Sequence, residues 1–126
     1  MCIGFCWGSY VTIRLSAYRR IKDGVSLHPS HDKICMMMNE NEEDLLKEIK
    51  CQQAFLSASQ DGPSTKYGGL AKKVLGDFLN VIEFPDMNHG WSVHGELNQP
   101  KVERDVIKAF NLTLSFFNQY LHRINT

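Results

Sequence analysis

Gly4-Phe5-Cys6-Trp7-Gly8 decides how this chain is read. It follows the short apolar run Met1-Cys2-Ile3 and precedes a helix-like stretch from Ser9 to Ile21. The pattern is that of a nucleophile elbow, G-x-Nu-x-G, with cysteine as the nucleophile: a sharp strand-to-helix turn that holds the reactive residue in a strained backbone conformation. Glycines two residues to either side are expected because a Cβ at either would collide with the neighbouring strand or helix. The following helix would aim its N-terminal amides and positive dipole end at the sulfur, favouring thiolate. A buried free cysteine between two glycines is the plainer reading. The motif gains weight only if an acid and a histidine follow.

Alternation of period supplies the frame for such a search. Val25-Ser26-Leu27 predicts a strand that turns away at His28-Pro29-Ser30. Residues His31 to Asn39 read as irregular, with Met36-Met37-Met38 filling gaps in a core. Asn41 or Asn39 caps a helix that opens on Glu42, Glu43 and Asp44 and closes on Lys47 and Lys50. Gln53 to Ser59 reads as a buried strand ending at Gln60-Asp61-Gly62-Pro63, with a helix from about Ser64 to Leu79 after it. Val81 to Phe84 is the fourth strand, stopped by Pro85, and a loop from Asp86 to Pro100 carries His89, Trp91 and His94. A last helix starts near Pro100, where Val102, Val106, Phe110, Leu114, Phe117, Leu121 and Ile124 form a stripe expected to face a core.

Four strands alternating with helices predict an α/β fold with a parallel sheet, a single domain over residues 1–126. Function in such a sheet gathers at the C-terminal strand ends. Cys6, His28, Asp61 and His89 each fall just past a predicted strand. Cys6, Asp61, His89 is also the chain order nucleophile, acid, base of the α/β-hydrolase triad. Each role has a physical requirement. Cys6 must be a thiolate to attack a carbonyl, and an imidazole can take its proton. His89 needs a carboxylate on its other nitrogen, which Asp61 supplies. The backbone N–H of Trp7 is the expected oxyanion donor. Asp61 alone would pass for a turn residue and His89-Gly90 for an exposed loop; their joint placement carries the argument.

The elbow, together with Leu27-His28-Pro29-Ser30 and Asn88-His89-Gly90-Trp91-Ser92-Val93, resembles the dienelactone hydrolase family, and the resemblance runs on to Phe116-Phe117. It implies an α/β-hydrolase fold and a Cys6–His89–Asp61 triad opening esters or lactones through an acyl-enzyme, with no cofactor and no metal. His28, Trp91 and His94 are candidates for substrate binding. Family members usually carry arginine where this chain has His94, so a carboxylate-bearing substrate would exchange a permanent bidentate partner for a titrating one. They also carry further strands and helices before the elbow, so the chain looks like the C-terminal half of the fold. The elbow strand would then lie at an open edge and pair with a partner or a second copy.

The bulk properties fit. The 126 residues are 43% hydrophobic and 22% charged, with 14 basic and 14 acidic side chains. That balance disfavours nucleic acid or an anionic membrane as partner, and no apolar run reaches membrane-spanning length. Four irregularly spaced cysteines (Cys2, Cys6, Cys35, Cys51), with no leader read before the elbow, predict free thiols in a reducing, cytoplasmic compartment. A zinc site from Cys2, Cys6, His28 and His31 has unusual spacing and is disfavoured. A catalytically inactive, truncated family member serving as a binding or structural subunit is the alternative to a hydrolase.

Overall fold

The structure, a computed structural model, describes residues 1–121. Four parallel strands, β1 (Cys2–Phe5), β2 (Asp23–Leu27), β3 (Gln52–Ala58) and β4 (Leu79–Phe84), lie side by side in chain order. Gly4 pairs with Ser26, Ser26 with Phe55, and Phe55 with Val81. Residues of β2 are buried throughout and those of β3 nearly so. Strands covered on both faces show this, and Ser26 is buried between Val25 and Leu27 although the three alternate in polarity.

The helices are α1 (Gly8–Leu15), α2 (His31–Met37), α3 (Glu42–Lys47), α4 (Leu70–Leu75), α5 (Trp91–His94) and α6 (Pro100–Leu121). Strands that are sequential neighbours, joined by right-handed crossovers, put the connecting helices on one face. Ile13 of α1, Leu45 and Leu46 of α3, and Ala71 and Leu75 of α4 accordingly pack around Phe55 and Leu79. The other face, from Val25, Leu27, Ala54, Leu56 and Ala58, is covered by Ala109 and Phe116 of α6 and by Trp91. No helix among the described residues is long and apolar enough to cross a membrane.

Several sequence expectations are corrected. Residues His31 to Met37 are helical, not irregular, and burial along α2 is inverted. His31 and Cys35 face inward, one turn apart, while Met36 and Met37 are each 81% exposed. The methionines therefore plug no core, and a period sought in apolar residues misses this helix. Asn41 does cap α3, its Oδ1 accepting the Asp44 backbone N–H at 2.9 Å. The helix expected over 64–79 is broken into a turn at Pro63–Thr65, α4 and a turn at Gly76–Phe78, with Leu79 already in β4. Two glycines make the breaks. Gly69 lies so close to the Pro63 and Ser64 carbonyls that a Cβ has no room, and Gly76 has φ +53°. Helix α1 ends at Leu15, six residues short of Ile21, and Asp23-Gly24 opens β2 where a helix stop was expected.

On α6 the most deeply buried residues are Asp105, Ala109, Thr113 and Phe116, one register step from the stripe expected, of which Val102, Val106 and Phe117 pack at the margin of the core. Small side chains at 109 and 113 let the helix approach the sheet, whereas Phe110 is 62% exposed and Leu114 and Leu121 are also exposed. Phe110 and Leu114 instead border an apolar groove of about 370 Å³ whose far wall is Ile3 and Phe5 of β1. Ile124 lies outside the described residues.

The elbow glycines differ from each other. At Gly4 a Cβ would run into the Gly8 carbonyl and Thr12 Oγ1, because α1 crosses directly over β1; at Gly8 nothing lies within 4 Å. The expectation of crowding holds for the first glycine and not for the second. Gly4→Ala is therefore expected to lower stability by about 1–3 kcal/mol, with Gly8→Ala within about 0.5 kcal/mol of the parent chain. Urea unfolding followed by circular dichroism measures both, and equal effects would show that the crossing does not set the requirement.

Candidate active site

Cys6 sits between β1 and α1 with φ 56°, a left-handed conformation that costs a non-glycine residue about 1–3 kcal/mol and persists only where the surroundings enforce it. Three donors supply that enforcement. The Cys6 carbonyl accepts from the Ser9 backbone N–H at 3.1 Å, from Ser9 Oγ at 2.7 Å and from the Ser30 backbone N–H at 3.3 Å. The Cys6 N–H meanwhile extends the sheet ladder by donating to Leu27 O at 3.1 Å. Ser9 and Ser30 are both buried, and Ser30 N–H also donates to Ser9 Oγ at 3.1 Å.

The sulfur meets residues from two other strand ends. His89, in the turn between β4 and α5, has Nε2 2.9 Å from Cys6 Sγ and Nδ1 2.6 Å from Asp61 Oδ1. Asp61 follows β3 with its carboxylate fully buried, and Oδ2 accepts the Ala58 N–H at 2.7 Å. That second bond fixes the plane of the carboxylate, so Oδ1 is aimed at the imidazole. Proximity of the three groups follows from strand order: β1, β3 and β4 end on the same edge of the sheet.

The electrostatics of the pair run in opposite directions. Burial pushes the Cys6 thiol up, but the His89 hydrogen bond, the Ser30 hydroxyl at 3.6 Å and the Trp7 backbone N–H together bring it below the ordinary thiol value. For His89, burial pulls the imidazole down, and hydrogen bonds to Asp61 and Cys6 outweigh it, so protonation is favoured. The two shifts bring the thiol and the imidazole closer together in pKa, which favours sharing of the proton between Cys6 Sγ and His89 Nε2. Cys35 and Cys51 are buried with their thiols pushed up by burial.

The remaining candidates are placed as follows. The Trp7 N–H, expected at the oxyanion, points in the unliganded site at the sulfur itself. His28 is wholly buried with Nε2 2.7 Å from Ser92 Oγ, and Trp91 is packed between His28 and Phe84. His28 offers no open surface to a substrate, whereas Trp91, though largely buried, lines a cavity beside His89. His94 is exposed and, with His89, Asp86 and Glu96, lines the same cavity, which has a volume of about 250 Å³ and mixed polarity. His31 lies against Phe55 with Nε2 2.9 Å from Glu42, on the face of the sheet opposite the His28–Trp91 contact, so the two histidines cannot share a metal. Ser9, Ser30 and Ser92 were not singled out in the sequence. Ser30 had a signal of the same kind as the others, a polar residue just past a strand; Ser9 and Ser92 had none.

The profile of the dienelactone hydrolase family matches residues 1–121. The chain belongs to that family. It is also 27% identical to the protein named hydrolase tropI of Talaromyces stipitatus, over 128 aligned positions covering 94% of this chain and 45% of that protein. The chain thus spans about half the length of the curated relative it matches.

Iodoacetamide at neutral pH is expected to modify Cys6 at least ~10-fold faster than Cys35 or Cys51, since each unit of thiol pKa changes the thiolate population about tenfold. Mass spectrometry of the alkylated peptides measures the order, and comparable rates at the three sites would contradict an activated Cys6.

Proposed function

We infer that this dienelactone hydrolase family member cleaves ester or lactone bonds of a small molecule, with Cys6 as nucleophile, His89 as general base and acid, and Asp61 as the orienting carboxylate. The observation that carries this is the unbroken hydrogen-bonded line Asp61–His89–Cys6, drawn from residues 28 and 83 positions apart. The family and a relative named as a hydrolase agree with the reaction class.

In the proposed cycle the Cys6 thiolate attacks the carbonyl carbon, forming a C–S bond as the carbonyl electrons move to oxygen. The N–H of Trp7, the residue before α1, is the proposed donor to that oxyanion. The tetrahedral intermediate collapses and expels the alkoxide, which takes the proton from His89 Nε2. In a lactone this oxygen stays attached to the acyl group, so the ring opens without loss of a fragment. His89 then deprotonates water, which attacks the thioester, and departure of the thiolate releases the carboxylic acid. Asp61 steadies the imidazolium throughout. His94, on the cavity that His89 also lines, is the group proposed to meet a substrate carboxylate.

A binding or structural role is the second reading. It is favoured by β1, which has no partner on its outer side among the described residues and whose Ile3 and Phe5 are exposed beside the apolar groove. Hydrolysis of p-nitrophenyl acetate separates the two. Cys6→Ala is expected to abolish turnover and Cys35→Ala to leave it, with a mass increase of one acetyl group trapped on Cys6; retained activity in Cys6→Ala would sink the nucleophile assignment. His94→Arg is expected to raise kcat/KM for carboxylated lactones at neutral pH with little change for uncharged esters. An equal change for both substrate types would remove His94 from carboxylate recognition.

A further inference from the structure

His28 is a buried imidazole for which the relay has no use. It stands one residue past β2 with φ 38°, and its N–H donates to Leu56 O at 2.8 Å. Nε2 shares the 2.7 Å hydrogen bond with Ser92 Oγ, while Nδ1 is buried without a hydrogen-bond partner among the described residues. Its ring meets His89 edge-on, with centroids 5.2 Å apart and planes at 71°, and meets Trp91 similarly at 5.3 Å and 70°. Ser92 belongs to α5, three residues after His89.

We propose that His28 and Ser92 form a positioning pair that ties α5 to the end of β2 and thereby holds the His89 imidazole between Asp61 and Cys6. The inference rests on the triad reading above and adds to it. The Cβ–Cγ bond of His89 and its two hydrogen bonds set where the ring points, and the His28 ring packed edge-on against it adds a steric restraint on its tilt. The backbone needs one as well. Upstream of His89, the Met87 carbonyl is held by the Ser59 N–H and Ser59 Oγ, both at 2.9 Å. Immediately downstream stands Gly90 at φ 87°, a hinge-permissive residue. The first side-chain hydrogen bond beyond that glycine is Ser92 to His28.

Charge supports the same assignment. Burial, with His89 and His94 nearby, lowers His28 to about 4, so it stays neutral while its neighbour is protonated. A second cation 5.2 Å from the His89 ring would oppose the imidazolium that the sulfur requires. The pair thus steadies the base without competing for its proton.

The test reads thiol activation and does not need turnover. The rate of Cys6 alkylation by iodoacetamide is followed against pH in the parent chain, His89→Ala, His28→Gln, Ser92→Ala and Ser92→Thr, with urea unfolding midpoints measured alongside. His89→Ala is expected to raise the inflection towards that of an ordinary thiol. Ser92→Ala and His28→Gln are expected to raise it by about one pH unit, or about tenfold slower labelling at neutral pH, and Ser92→Thr, which keeps the hydroxyl, to restore it. A lowered unfolding midpoint with the parent inflection in Ser92→Ala and His28→Gln would reduce the pair to a structural contact and overturn the inference while leaving the triad intact. An unchanged inflection in His89→Ala would overturn the triad reading and this one with it.

Discussion

One carbonyl group, that of Cys6, carries the strain on which the site depends. A left-handed cysteine relaxes unless its backbone is held, and three hydrogen-bond donors from Ser9 and Ser30 hold it. Those donors come from α1 and from the segment after β2, so the elbow is stable only when the first β-α-β unit is closed. Closure in turn requires α1 to lie flat on β1, which the missing side chain of Gly4 permits. Strain at Cys6, the glycine two residues before it and the serines behind it are one mechanical unit.

A second unit is electrostatic. A thiol and an imidazole 2.9 Å apart exchange a proton cheaply only if something favours the charged pair over the neutral one. Here a fully buried Asp61 carboxylate, itself held by the Ala58 N–H, stands behind the imidazole, and the first amide of α1 stands beside the sulfur. Neutral His28 completes the surroundings without adding charge. The arrangement favours the ionised form of the Cys6 thiol relative to that of an ordinary cysteine.

Strand positions and the polar residues that follow them were legible in the sequence because a parallel sheet writes both in short range: an apolar run, then a turn. Cys6, Asp61 and His89 were each found by that rule. What escaped depends on contacts between distant segments. Helix α2 buries His31 and exposes methionines, so its apolar residues carry no inward period. The sheet-facing stripe of α6 is set by how closely Ala109 and Thr113 approach the strands, and Phe110 and Leu114 were read as core although they flank a groove. His28 looked like a substrate contact because it shares the strand-end position of the others; only its burial against Ser92, 64 residues away, shows otherwise.

Sequential strand order has a consequence for the time course of folding. Each of these β-α units docks against its predecessor in the chain, so the four strands can pair in the order in which they are synthesised. Cys6 is in place at the first step, yet the hydrogen bond that does most to lower its thiol comes from His89, on the far side of β4. A chain assembled only as far as β3 carries an elbow without His89. The full lowering of the Cys6 thiol therefore waits for β4 and the His89 turn, and comes later than the pairing of β1 with β2 and of β2 with β3.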